Sequence, residues 1–307
     1  MAEIAEPKRH SLLVNLVIRL VKEKPLGTVG GVIFLAMFFV GIFADFIAPY
    51  GYNEINVSIQ LKGSMPGYLL GTDQLGRDLL SRVIYGARIS MVVGLGGAAI
   101  GTILAAVLGG LSGYLGGKFD IIVQRFVDAL MAWPWLLFVL TLMVIVGRGL
   151  PQVILVLGLR RGVIDSRIVR SAVIGVKENM YVEAAKAIGA PTGRILTRHI
   201  LPNVFAAIII IFSLDVGNMI LQEAVVSFLG FGIPPPLPSW GGMLSSEGRR
   251  FMIYAPWLAV WPGLALSTAV YGINMLGDAI RDILDPRLRG GRGRYGATVK
   301  KEATKIK

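Results

Sequence analysis

Long apolar runs separated by short polar and basic segments dominate this chain. A helix of about 20 apolar residues crosses the roughly 30 Å hydrocarbon layer of a membrane. The pattern therefore predicts an all-α, polytopic membrane protein with six transmembrane helices. The candidate spans are residues 26–47, 89–112, 121–146, 151–159, 204–231 and 257–280.

The fourth candidate span is shorter than the others because Arg160 and Arg161 follow it. It crosses a membrane only if its helix continues through residues 162–164 or lies deep inside a bundle, since arginines in lipid must reach water or an interface. The stretch from 160 to 170 is strongly charged as a whole, so the boundary of this span stays open at this point.

Lysine and arginine indicate the orientation, because cytoplasmic loops of membrane proteins are enriched in them. Most of the 31 basic residues fall in segments that share a side with the N-terminus, so both termini are predicted to be cytoplasmic. The predicted organisation is a cytoplasmic amphipathic segment (1–24), a first transmembrane helix with an outer loop (25–88), a five-helix core (89–285) and a basic tail (286–307).

Composition supports a membrane protein and excludes other classes. With 54% hydrophobic and 16% charged residues, the chain is too apolar for an ordinary soluble domain. It has no cysteine and only two histidines, which excludes disulfides, a thiol nucleophile and a histidine-rich metal site. The net charge of +12 does not indicate a nucleic-acid partner, because the basic residues are spread over cytoplasmic loops and tails near anionic headgroups.

A polar segment, EAAKAIGAPTGRILTRHILPN, occupies residues 183–203 between two apolar runs. Helix formers up to Ile188, followed by Gly189 and Pro191, predict two short helices joined by a sharp turn. The segment resembles the EAA loop of ABC importer permeases, in which a helix pair docks on an ATPase subunit. The resemblance implies a type I ABC importer permease core, with residues 178–203 as a cytoplasmic coupling helix pair. The residues that it assigns to ATPase coupling are Glu183, Ala184, Ala185, Gly189, His199 and Pro202. For His199, packing or hydrogen bonding at this surface is favoured over a pH switch.

Two further strings lie on the predicted outer side. LLGTDQLGRDLLSRVIYGARIS (69–90) and GIPPPLPSWGGMLSSEG (232–248) resemble signatures of the dipeptide, oligopeptide and nickel permeases, specifically the C-type subunit. The first predicts a turn and a short helix, interpreted as a structural loop that positions the second span, with substrate contact as the alternative. The second predicts a stiff, exposed loop that forms a lip, docks a binding protein, or does both. Its docking candidates are Pro234, Pro235, Pro236, Ser239 and Trp240, with the tryptophan expected at the membrane interface.

Polar residues inside the last two spans indicate a transport path, because a polar group survives in lipid only when it faces protein or water. They fall within about 60° of one face on each helix at 100° per residue. The path candidates are Asp215, Asn218 and Gln222 in the fifth span and Ser267, Tyr271, Asn274 and Asp278 in the sixth. Hydrogen bonding between helices, without contact to cargo, is the alternative for each of them.

The sequence contains no phosphate-binding GxxxxGK[ST] motif, and the glycines of residues 89–117 lie inside an apolar span. The chain is therefore predicted to be a conduit without enzymatic activity or a cofactor of its own, and ATP and Mg are expected to act on partner subunits. The resemblance implies a second related permease, two ATPases and an extracytoplasmic substrate-binding protein, in a bacterial or archaeal plasma membrane. Peptides, nickel chelates, glutathione and oligosaccharides all remain open as cargo. The rival prediction is a proton-coupled secondary transporter that uses Asp215, Glu223 or Asp278 as carriers.

Overall fold

The computed structural model describes residues 12–284. The predicted basic tail and the first eleven residues lie outside this range. Within it the chain is helical, and no β-strand is present. The helices are α1 (Leu12–Glu23), α2 (Pro25–Ile42), α3 (Ala44–Ile47), α4 (Leu79–Leu115), α5 (Gly117–Ala132), α6 (Trp135–Val146), α7 (Leu150–Lys177), α8 (Met180–Ala187), α9 (Thr192–Ile195), α10 (Leu201–Phe228), α11 (Trp240–Gly242), α12 (Arg249–Phe251) and α13 (Trp257–Leu284).

Four helical stretches of the described part are long and apolar enough to cross a membrane: α2, α4, the continuous stretch Thr192–Phe228, and α13. A fifth is added if α5 and α6 are counted as one span, although they are bent by 95°. Length and composition therefore identify four or five spans in the described part, and the six predicted spans are not confirmed.

The bend between α5 and α6 corrects the prediction of one straight span over residues 121–146. Pro134 precedes α6, and Trp133 before it adopts an extended conformation with φ −80° and ψ 134°. The proline ring disfavours helical geometry in the residue before it, so the helix ends there and restarts in a new direction.

Helix α7 differs most from the sequence prediction, because it continues through Arg160 and Arg161 to Lys177 instead of ending at residue 159. Its arginines are paired with carboxylates of other helices. Arg170 donates to Asp120 of α5 at 2.6 Å, and Arg167 pairs with Asp128. These ion pairs allow the helix to continue. The same charges make α7 too polar to count among the apolar membrane-spanning helices.

Close backbone contact joins α4 to α7. A Cβ atom added at Gly162 would lie 2.5 Å from the carbonyl oxygen of Gly101, and one at Gly109 would lie 2.3 Å from that of Ser166. Small residues at a helix interface permit this approach in lipid, where packing replaces the hydrophobic effect as the main attraction between helices. Helix α2 packs on α13 in the same way, since a Cβ at Gly30 would lie 2.4 Å from the Gly272 oxygen.

The fifth predicted span begins earlier than expected. Helix α9 continues through a π-helical turn at Leu196–Ile200 directly into α10, so no separate second coupling helix ends at His199. Pro202 has no N–H to donate, and Leu201 donates its N–H to Leu196, five residues earlier. A π turn of this kind keeps the helix continuous across the proline.

Candidate functional site

Helix α8 carries the predicted coupling residues and has two different faces. Val182 and Ala185 are buried, and they pack with Ile195 and Ile200 of the following helix. Glu183 and Ala184 lie on the exposed side. The helix is thus fixed to the bundle by one face while the other is free.

The turn after α8 depends on Gly189, which has a φ of +77°. A side chain is strained in this left-handed conformation, whereas glycine adopts it readily. Ile188 precedes the turn with 84% of its surface exposed, and Met180 at the other end of α8 is equally exposed. The free face of the segment is therefore apolar around the Glu183 carboxylate.

Lysines connect this segment to the C-terminal end of α4. Lys177 donates to the carbonyl oxygen of Tyr114 at 2.6 Å, and the Nζ atoms of Lys177 and Lys186 lie 5.7 Å and 5.5 Å from the centre of the Tyr114 ring. His199 is half-buried, with its ring 6.4 Å from that of Tyr181, and Pro202 is exposed. Helix α8 therefore contacts α4 through Lys186, and its buried face packs on the continuous helix formed by α9 and α10.

The path candidates of α10 have different surroundings. Asp215 is completely buried and accepts a hydrogen bond from Arg161 of α7 at 2.8 Å. Asn218 is exposed and donates to the Leu214 carbonyl oxygen at 3.1 Å, while Gln222 is half-buried. Although these residues are close in angle on a helical wheel, they differ in burial, and of the three only Asp215 is fully buried.

The path candidates of α13 fall into two groups. Asn274 lies against α10, since a Cβ at Gly217 would be 2.5 Å from its Oδ1 atom. Tyr271 and Asp278 line a cavity of about 340 Å³ beside the start of α2. Ser267 is exposed. The structure thus places Asn274 against Gly217 of α10 and leaves Tyr271 and Asp278 nearer to α2.

The loop after α10 corrects one prediction. Trp240, expected at the membrane interface, is completely buried, and its Nε1 donates to the carbonyl oxygen of Val83 at 3.0 Å. Its ring fits against Gly86, where a Cβ would be 2.7 Å from the tryptophan Cδ1. Ser239 is also buried and caps α11. Pro234, Pro235 and Pro236 are exposed, so among the docking candidates only the prolines offer a free surface.

A buried ion cluster lies in the 69–90 string. Asp73 accepts from Arg77 at 2.6 Å, and the Arg82 Nε lies 3.5 Å from the same carboxylate. These three side chains are each at most 4% exposed. Gly71 and Gly76 have the positive φ angles of the predicted turn, and Asp78 caps α4. The burial favours the structural interpretation of this string over substrate contact.

Sequence reasoning missed Asp165, which is 2% exposed and lies 2.8 Å from the Arg161 Nε. Arg161 therefore contacts two buried carboxylates, Asp165 on its own helix and Asp215 on α10. The spacing of four residues between Arg161 and Asp165 was a signal in the sequence. The contact between Arg161 and Asp215, which are 54 residues apart, left no such signal in the sequence.

A family model described as "binding-protein-dependent transport system inner membrane component" matches residues 101–290, and a model of the N-terminal transmembrane domain of oligopeptide transport permease C matches residues 13–66. A dipeptide transport system permease of Alkalihalophilus pseudofirmus is 38% identical over 87% of this chain and 88% of its own length. An oligopeptide transport system permease of Bacillus subtilis is 37% identical over 94% of each chain.

A glutathione transport system permease of Pectobacterium atrosepticum is 36% identical over 84% of this chain and 86% of its own length. Among solved structures, an inward-facing form of the MetNI methionine ABC transporter aligns with a TM-score of 0.53 and 17% identity. That alignment covers 66% of this chain and 96% of the other, and it shows a shared fold. By its family match and its relatives, the chain belongs to the binding-protein-dependent transport system inner membrane components.

Proposed function

We propose that this chain is one of two permease subunits of an ATP-driven peptide importer. The observation that carries the proposal is its identity of 36% to 38%, over most of both chains, with permeases named for dipeptides, oligopeptides and glutathione. The chain forms half of the translocation path in a bacterial or archaeal plasma membrane, with both termini in the cytoplasm. It binds no ATP itself, and ATP and Mg act on two partner ATPases.

The α8 segment is the docking surface for an ATPase subunit in this proposal. Its free face combines Met180 and Ile188, each 84% exposed, with the exposed Glu183. Exposed apolar side chains around a charge are typical of a protein interface. Through Lys177, Lys186 and the buried face of α8, closure of the ATPases would move α7 and α10 and so alternate the access of the path.

Glu183→Lys tests this assignment. No described residue pairs with Glu183, so the substitution changes the docking face and leaves the bundle intact. We expect the permease to reach the membrane in normal amount, to retain less ATPase subunit on purification, and to lose transport. The matched control is Glu54→Lys, the same change at an exposed glutamate of the outer loop. Equal ATPase retention by both variants, together with normal transport, would contradict the docking role.

The remaining partners follow from the outer and lateral surfaces. The exposed prolines 234–236 are proposed to contact the extracytoplasmic substrate-binding protein. Asn218 of α10 and Asn274 of α13, which are both exposed, are proposed to face the path or the second permease. The proton-coupled alternative is not favoured by the family match. In addition, Asp215 is held by Arg161, and Glu223 accepts from Ser227 at 2.6 Å.

A further inference from the structure

The loop after α10 exposes a short tip, residues 234–237, between two buried segments. Residues 232–233 are buried before this proline tip, and residues 238–240 are buried after it. Its first three residues are prolines, which have no N–H group to donate. The prolines therefore cannot fix the tip through their own N–H groups, and its position depends on the buried segments on either side.

The segment before the proline tip is fixed to the C-terminal end of α10. The Ile233 N–H donates to the Ser227 Oγ at 3.2 Å. Gly232 passes so close to Ser227 that a Cβ added to it would lie 2.0 Å from the same oxygen. Ser227 lies in the last turn of α10 and is 3% exposed. Because Ile233 directly precedes Pro234, this hydrogen bond sets the start of the proline tip.

Glu223, one turn earlier on α10, orients the Ser227 hydroxyl. Its Oε1 accepts a hydrogen bond from the Ser227 Oγ at 2.6 Å. A serine hydroxyl has one hydrogen and two lone pairs, so donation to Glu223 leaves the lone pairs free to accept from Ile233. Ser239, which follows the proline tip, lies beside the same carboxyl group. The Glu223 carboxyl therefore contacts hydroxyl groups from both sides of the tip.

Glu223 is completely buried, and burial is costly for a carboxyl group. A leucine at this position would pack without that cost, so apolar packing does not account for the carboxyl group. Its neighbour Ala224 does serve packing, since a Cβ at Gly241 would lie 2.4 Å from the Ala224 Cα. The contacts of Glu223 with the two serine hydroxyls therefore account for the carboxyl group.

We propose that Glu223 is a positioning residue that holds the proline tip in place for docking of the extracytoplasmic substrate-binding protein. The inference rests on the proposed function, in which the prolines 234–236 contact that protein. Because Glu223 is completely buried, it acts through Ser227 and Ser239 rather than by touching the binding protein. This role is different from that of a proton carrier.

A nitroxide spin label on Leu237→Cys reports on the proline tip directly, since Leu237 is 38% exposed and the chain has no other cysteine. In the purified permease–ATPase complex, Glu223→Leu and Ser227→Ala are expected to increase the mobility of the label, because each removes one of the two linked hydrogen bonds. Glu223→Gln keeps a carbonyl acceptor and is expected to leave the mobility unchanged. The matched control for the serine is Ser213→Ala, whose hydroxyl donates to a carbonyl oxygen within α10 at 2.9 Å.

Import of trialanine into proteoliposomes, titrated with the binding protein of the same system, provides the second measurement. In Glu223→Leu and Ser227→Ala, the half-saturating concentration of the binding protein is expected to rise about fivefold to tenfold, as for the loss of one hydrogen bond. The maximal rate is expected to stay close to that of the wild type. A lower maximal rate with an unchanged half-saturating concentration would show only a loss of intact complex, and it overturns the proposal.

Unchanged label mobility in Glu223→Leu and Ser227→Ala also overturns the positioning role; if Glu223→Leu does not assemble, the comparison of Ser227→Ala with Ser213→Ala decides. Loss of import in Glu223→Gln with unchanged label mobility overturns it in favour of a carrier role. Increased mobility with an unchanged half-saturating concentration overturns the contact between the prolines and the binding protein. Failure of the complete wild-type system to import any peptide overturns the proposed function itself.

Discussion

At the scale of single residues, Arg161 pairs with two buried carboxylates, those of Asp165 and Asp215. Removing one partner of a buried ion pair leaves an uncompensated charge, at a cost on the order of 3 kcal/mol. We therefore expect Arg161→Leu to lower the thermal unfolding midpoint of the purified permease. Combining it with Asp165→Asn and Asp215→Asn should recover most of the loss.

The neighbouring arginine supplies the control for this prediction. Arg160 is half-buried on the same helix and has no ion pair with a described residue, so Arg160→Leu should change the midpoint much less. Equal effects of the two leucine substitutions would show that the Arg161 contacts contribute little to stability.

At the scale of elements, the close backbone packing of α4 on α7 can be tested with a single substitution. A valine at Gly162 would force its Cβ to within 2.5 Å of the Gly101 oxygen and 2.8 Å of the Leu104 Cβ. Overpacking typically costs about 1–3 kcal/mol, so Gly162→Val is expected to reduce the fraction of monodisperse permease in detergent. Gly175→Val is the matched control on the same helix, since a Cβ there meets no atom within 4 Å. Similar yields of monodisperse protein for both variants would contradict the packing argument.

At the scale of the whole molecule, orientation is open to direct test because the chain contains no cysteine. Leu237 is 38% exposed in the loop after α10, which is predicted to lie outside, and Thr192 is exposed at the start of α9, which is predicted to lie in the cytoplasm. An impermeant thiol reagent added outside intact cells should label Leu237→Cys and not Thr192→Cys, with the reverse in inverted vesicles. Ser239→Cys, at a buried position, should remain unlabelled from either side. Labelling of Thr192→Cys from outside would contradict the predicted orientation.

The sequence alone determined the helical membrane class, the family resemblance and the turn at Gly189, because hydropathy, motifs and glycine conformation are local properties. Only the tertiary structure decided how far α7 extends, since its arginines are paired by Asp120, Asp128 and Asp215 from other helices. It also decided the burial of Trp240, which depends on the space left by Gly86, more than 150 residues earlier. Hydropathy assigns each arginine or tryptophan to water, lipid or the interface from its residue type alone. A partner that is distant in sequence can instead bury that side chain inside the protein.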